Sequence, residues 1–251
     1  MHHQSRLPVK YLFIAASFLL ISSSSFSQKI KPKYEFDYKI LRSAESCRTI
    51  KSNDFFKFIS KYNNPVCLSG PAALFITGLA QNNTILQKKS LFATESIGSA
   101  VAVALTMKFA IGRTRPFRFD TTFTCVVNAK YNAFPSGHTS EAFAMATAMS
   151  IAVPRWYVVV PAYMWASMIA YARVYLGVHY PTDVIGGAIV GSGCTFLMYK
   201  LNKWLQATDK GHHPGNEILG TVTGLGTAYL IYRIEDWISK KRIKAKNTAG
   251  Q

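Results

Sequence analysis

Three short runs in this 251-residue chain carry the residue types that handle phosphate. They are Lys108-x6-Arg115-Pro116, Pro135-Ser136-Gly137-His138 and Arg173-x5-His179-x3-Asp183. Lys108, Arg115 and Arg173 supply three cations, and Ser136 supplies a hydroxyl. Gly137 offers a backbone N–H that a ligand can approach closely, because no Cβ stands in the way. Fixed cations and donors of this kind stabilise the charge on phosphoryl oxygens in a transition state. The two histidines divide by context. Asp183 follows His179 by four residues and can accept from one ring nitrogen, which holds the tautomer and leaves the other nitrogen to attack. His138 has no carboxylate at comparable spacing and suits the general acid that protonates the leaving oxygen.

Taken singly, each cluster has an ordinary structural reading. Lys108 near a helix end can snorkel, a lone histidine is usually structural, and Pro-Ser-Gly-His is a plain helix start. The elements that carry the clusters decide whether they meet. Apolar segments at 67–80, 91–111, 138–153, 156–177, 183–200 and 216–232 are rich in Ala, Gly, Met and Leu without strict alternation, so they read as helices. Short connections make neighbouring helices antiparallel. The exit of the first segment between 91 and 200, the entry of the second, the exit of the third and the entry of the fourth then share one end. Pro135 and Pro181 precede or open helices, which aims two helix N-termini at that end, where free N–H groups and the dipole bind phosphate oxygens. Gly187 and Gly191 are four apart, a small-residue pattern of closely packed helices. The expected fold is all-α: a membrane-embedded helical bundle of about six helices, with a core four-helix bundle carrying the phosphate site at one end. Because most segments are only about as long as a bilayer needs or shorter, a buried soluble bundle competes with the membrane reading.

Composition narrows the setting. The chain has 29 Lys+Arg against 12 Asp+Glu, a formal charge of +17, yet only 16% of residues are charged and 49% are apolar. That much apolar content builds a large core and excludes a disordered basic tail protein. Few charges of one dominant sign point to a membrane surface or an anionic substrate. Residues 1–27 read as a secretory signal peptide, with Arg6 and Lys10 before an apolar run from Tyr11 to Ile21 and small residues after it. Residues 28–66 form a polar, basic lead. Within it Phe55, Phe58 and Ile59 share a helical face that suits either an interfacial helix or a surface helix packed on the domain. The bundle is expected over 67–233 and a basic tail over 234–251. Of Cys47, Cys67, Cys125 and Cys194, the last reads as a small buried hydrophobe, and export allows one bridge among the other three. His212-His213 reads as a solvated connection rather than a metal site. Phe117, Phe119, Phe123, Tyr131 and Phe134 fit a lipid-facing rim and an ordinary core equally.

The three ordered clusters together resemble the type 2 phosphatidic acid phosphatase superfamily, which includes bacterial acid phosphatases and vanadium haloperoxidases. The resemblance covers about residues 67–233. It implies a helical-bundle fold, no metal or other cofactor, and a covalent phosphohistidine on His179. It also implies His138 as acid, Asp183 as the orienter of His179, and Lys108, Arg115, Ser136, Gly137 and Arg173 as the phosphate-binding set. One position departs: the family usually has Ser before the third-cluster Arg, and here Ala172 removes a hydroxyl donor.

The expected activity is metal-independent hydrolysis of a phosphomonoester or pyrophosphate on an envelope lipid of the phosphatidic acid, phosphatidylglycerophosphate, undecaprenyl pyrophosphate or lipid A type. Alternatives are a soluble periplasmic acid phosphatase with broad substrates, a vanadium-dependent haloperoxidase, and a non-catalytic membrane-binding protein motivated by Ala172. The expected partners are a phosphorylated lipid and membrane lipid, with no nucleic acid. Lys88, Lys89, Arg155, Lys200 and Lys203 fall opposite the site, so the positive-inside rule places the site on the periplasmic face of a bacterial envelope.

Overall fold

The computed structural model describes residues 35–208 apart from Tyr131, with side chains as far as Trp204. The signal-peptide segment, the apolar run 216–232, His212-His213 and the basic tail lie outside the described residues. The helices, in chain order, are α1 (Glu35–Ser46), α2 (Ile50–Lys61), α3 (Asn63–Ala80), α4 (Thr84–Ile111), the single turn α5 (Pro116–Phe119), α6 (Gly137–Ala152), α7 (Trp156–Tyr175) and α8 (Pro181–Thr208). No strand occurs among the described residues.

Local chemistry sets the helix starts. Thr49 opens α2 with a capping box, accepting from the Ser52 N–H while the Ser52 side chain accepts from the Thr49 N–H. Asn83 Oδ1 accepts from the N–H groups of Ile85 and Leu86 at 3.1 and 3.2 Å and so begins α4. Pro116 and Pro181 take first-turn positions, where the missing N–H costs nothing.

Helix α6 is the axis of the bundle, in contact with α3, α4, α7 and α8. Its sequence explains this. Ala142, Ala144, Ala146 and Ala148 are all fully buried, and small side chains on every face let several helices approach at once. The closest approach is to α8. A Cβ on Gly187 would stand 2.7 Å from the Ser136 carbonyl oxygen, and one on Gly191 would collide with the backbone of Ser140 and Ala144. The Gly187/Gly191 spacing is thus the seam between the helix that begins at Pro-Ser-Gly-His and the one that begins beside His179.

Five of the six expected apolar helices are present as α3, α4, α6, α7 and α8; α6 and α7 keep their expected ends within two residues, α3 starts four residues earlier, α4 starts seven earlier, and α8 runs on to Thr208. The helix inventory is otherwise different, because the polar lead is itself helical. From Phe36 onward the lead belongs to the same compact unit as the bundle. Helix α2 packs on α7 through Phe56, Ile59 and Ser60, spaced i, i+3, i+4. Phe55 and Phe58 remain exposed. The four cysteines are unpaired, against the expected bridge. Cys67 is buried on α3 with its thiol on the Asn63 side chain, and the Cys125 thiol donates to the Val127 carbonyl, so local partners hold both.

Among the described residues, two helices are long and apolar enough to cross a membrane, within Thr84–Phe119 and Pro181–Trp204. Their outer faces carry exposed Val103, Phe109, Ile185, Ile189, Phe196 and Leu197. Lys88, Lys89 and Lys203 come together with Ile151 and Ala152 around a cleft of about 500 Å³ at the end of the bundle remote from the three clusters.

Candidate active site

The three clusters meet. The Ser136 N–H donates to the Asp183 carbonyl at 2.9 Å, tying the start of α6 to the first turn of α8. The loop ahead of α6 is held by Lys108 from the last turn of α4. Its ammonium donates to the carbonyls of Asn132, Ala133 and Pro135 at 3.1, 3.4 and 2.6 Å. Lys108 therefore shapes the Pro-Ser-Gly-His turn as well as charging it, and a Cβ on Gly137 would stand 3.7 Å from its Cε. Ser136 is fully buried, and its hydroxyl accepts from Thr139 Oγ1 at 2.8 Å.

His179, in the connection between α7 and α8, is 2% exposed. Its Nε2 lies 3.2 Å from Arg115 Nη1, which also donates to the Val178 carbonyl at 2.6 Å. Its Nδ1 lies 3.4 Å from Asp183 Oδ2. An arginine only donates, so Nε2 is the accepting nitrogen and the ring proton sits on Nδ1, facing the carboxylate. Asp183 Oδ2 also accepts from the Tyr180 N–H at 2.9 Å, the third residue of the helix reaching back to its cap.

Burial pushes the pKa of His179 well below its ordinary value, and the positive fields of Arg115, Lys108, Arg173 and His138 push it the same way. The imidazole is therefore neutral at neutral pH. The sign follows from linkage. An unfolded histidine binds a proton near pH 6.5, the folded one does not, and the associated stability is full above that pH and is lost as pH falls toward the folded pKa. In the ligand-free enzyme the ring ¹⁵N shifts of His179 should remain those of a neutral imidazole at pH 6, where a surface histidine is mostly protonated. A titration midpoint at or above 6.5 would contradict this electrostatic picture.

Arg173 is buried in the last turn of α7. Its Nη1 is hydrogen-bonded to the Ser60 hydroxyl of α2, and its Nε is buried without a hydrogen-bond partner. Burial and the positive fields of Arg173, Lys108 and Arg115 push the pKa of His138, in the first turn of α6, well below its ordinary value, so the acid proton is held there only with an anionic phosphate beside the ring. All eight expected residues are thus within one assembly. Ala172 is fully buried in the core cluster with Ile169 and Ala166, and the hydroxyl beside Arg173 comes instead from Ser60, 113 residues away in the chain. No sequence signal pointed to Ser60. Arg113 was also missed, although its charge inside the Lys108-x6-Arg115 spacer was visible: it bonds Asp183 Oδ1 at 2.6 Å and Asp37 Oδ2 at 2.9 Å. The aromatic residues between the first two clusters divide. Phe123 is buried, Phe134 packs against Gly186, Phe117 joins a core cluster, Phe119 is exposed, and Tyr131 is outside the described residues.

A buried neutral imidazole ringed by fixed cations, at one end of a helical bundle, defines a phosphoric ester hydrolase. The PAP2 superfamily model matches residues 89–207 of the chain. The chain is 27% identical over 158 residues to an undecaprenyl-diphosphatase of Sulfolobus acidocaldarius, covering 59% of this chain and 70% of that protein. It is 31% identical over 116 residues to a lipid A 4'-phosphatase of Bacteroides thetaiotaomicron, covering 39% of this chain and 52% of that protein. Its fold is similar to that of a transmembrane PAP2-type phosphatidylglycerolphosphate phosphatase from Bacillus subtilis, with a TM-score of 0.56, 23% identity, and coverage of 78% of this chain and 93% of that one. The all-helical architecture is common to both.

Proposed function

We propose that this protein removes a terminal phosphate from a membrane lipid, a monoester or pyrophosphate, through a phosphohistidine on His179. The observation that carries the reading is the two-sided environment of that ring: Asp183 on Nδ1, and Arg115 on Nε2. In the first half-reaction His179 Nε2 attacks phosphorus, the P–O bond to the lipid breaks, and His138 gives the leaving oxygen its proton. In the second, water gives a proton to His138 and attacks phosphorus, the P–N bond breaks, and inorganic phosphate leaves. Lys108, Arg115 and Arg173 balance the phosphoryl charge, with Ser136 and the Gly137 N–H as donors. The buried, unpartnered Nε of Arg173 is a donor suited to a phosphoryl oxygen. The imidazolium that forms as Nε2 becomes phosphorylated is matched by Asp183.

Lipid as the substrate class is supported by the apolar exterior and by scale. Lys88 and Lys108 are 20 residues apart on α4, or about 30 Å of helix, the thickness of a bilayer's hydrocarbon core. The site then lies at one interface, within reach of a lipid head group. The names borne by the relatives, undecaprenyl-diphosphatase and lipid A phosphatase, agree with a phosphorylated envelope lipid. Lys88, Lys89 and Lys203 at the opposite end favour a cytoplasmic location for that end and a periplasmic site. A cleaved leader over residues 1–27 is consistent with the same orientation.

The test is a substrate panel of phosphatidic acid, phosphatidylglycerophosphate, undecaprenyl pyrophosphate and lipid A in micelles, beside p-nitrophenyl phosphate, each with EDTA and with vanadate. Phosphate release strongly favouring a lipid, resistant to EDTA and inhibited by vanadate, is expected. Release favouring the soluble ester, from a protein recovered in the aqueous fraction without detergent, would overturn the lipid reading.

A further inference from the structure

We propose that Asp37 and Arg113 act as a positioning pair for the site: together they set the orientation of Asp183 and, through it, the tautomer of His179. The inference rests on His179 being the nucleophile. It adds two residues that do not touch the phosphate.

The two oxygens of Asp183 have separate duties. Oδ2 faces His179 Nδ1 and takes the Tyr180 N–H, while Oδ1 takes Arg113 Nη1 at 2.6 Å. Arg113 thus occupies the oxygen turned away from the histidine and fixes the rotation of the carboxylate. Arg113 is itself fixed on three sides. Its Nη1 donates to Thr182 Oγ1 at 2.7 Å, its Nη2 donates to Asp37 Oδ2 at 2.9 Å, and its guanidinium lies over the Tyr180 ring at 4.1 Å.

Asp37, on α1, is 1% exposed and is held from a second direction. The Thr182 N–H donates to its Oδ1 at 3.0 Å, and the Thr182 hydroxyl donates to its Oδ2 at 2.7 Å. A carboxylate from another helix therefore sits on the first turn of α8, where anions are favoured by the exposed N–H groups and the dipole. Asp37 lies outside residues 89–207 that match the family model, so the lead helix of this chain reaches into the site.

Charge makes the pair more than a brace. Asp37 and Asp183 are two buried carboxylates bridged by one planar fork, a geometry an ammonium does not reproduce. Without the bridge, a buried carboxylate left unpaired takes a proton or turns toward another donor. Either change weakens the acceptor on which the His179 Nδ1 proton depends.

The experiment compares Arg113→Met, Arg113→Lys, Asp37→Asn, Asp183→Asn and the Arg113→Met/Asp183→Asn double variant. All are made in the full-length chain in detergent and assayed on whichever panel lipid the wild type turns over fastest, with kcat and KM determined separately. Arg113→Met should lower kcat by about 10- to 100-fold, the loss of one charged buried hydrogen bond, with KM nearly unchanged. Arg113→Lys should recover little of that loss, and Asp37→Asn should lower kcat by a smaller factor in the same direction. In the Asp183→Asn background, Arg113→Met should change kcat by less than about twofold, because its effect passes through Asp183. A wild-type kcat in Arg113→Met and Asp37→Asn, or a full additive loss in the Asp183→Asn background, would overturn the proposal. If Arg113→Met does not fold, Arg113→Lys in both backgrounds decides by the same criterion. Absence of phosphate release by the wild type, or its persistence in His179→Ala, would instead refute the nucleophile reading.

Discussion

His179→Ala should abolish turnover on every phosphorylated lipid while leaving the bundle folded. The expected loss in kcat is on the order of 10⁴-fold or more, the scale seen when an enzyme loses the atom that forms its covalent intermediate. Folding should survive because the neighbours keep their partners. Asp183 retains Arg113 and the Tyr180 N–H, and Arg115 retains the Val178 carbonyl. Two measurements separate loss of chemistry from loss of structure. Thermal melting in detergent should show a folded protein, and rapid quenching with labelled substrate should trap an acid-labile, alkali-stable phosphoryl group in the wild type and none in the variant. Retained phosphate release by the folded variant would remove His179 from the role of nucleophile.

The second large effect concerns the seam between α6 and α8. Gly191→Ala sets two terms against each other. Alanine is a better helix former than glycine by about 1 kcal/mol. The added methyl, however, would fall on the backbone of Ser140 and Ala144, which cannot rotate aside as a side chain can. Forcing the helices apart costs about 1–3 kcal/mol, so the expected net effect is destabilisation, with a lower melting temperature. Activity should fall as well, because the same seam joins Ser136 to Asp183. Gly193→Ala is the internal control. A Cβ there meets nothing within 4 Å, so only the propensity term acts and the variant should be more stable than the wild type. If both variants shift stability in the same direction, close helix contact at Gly191 is not what sets it.

The three clusters were legible because their geometry is local. His179 and Asp183 are four residues apart across a helix start, Ser136-Gly137-His138 open a helix, and Lys108 ends one; spacing and helix period alone put these groups where they are. Antiparallel packing then brought the clusters to one end, with short loops joining α6, α7 and α8 and a long connection, residues 112–136, joining α4 to α6. The apolar runs were legible for the same reason, since α3, α4, α6, α7 and α8 each announce themselves by composition over a continuous window. The lead showed a helical face at Phe55, Phe58 and Ile59 but not what it contributes to the site. Asp37 and Ser60 are polar residues in a polar stretch, and nothing in their neighbours marks them as buried.

By itself, then, the amino-acid order determined the helical elements, the phosphate-handling residue types and the end of the bundle at which they gather. Tertiary structure decided the rest. It made α6 the axis of the bundle, because only packing reveals which Ala-rich helix is enclosed on all sides. It supplied the Ser60 hydroxyl to Arg173 across 113 residues of chain, where Ala172 offers none. It also turned Arg113 from a spacer residue into the link between Asp37 and Asp183. The physical reason is the same in each case. Hydrogen bonds and ion pairs form between groups that are close in space, and sequence periodicity encodes closeness only within an element or across its short connections.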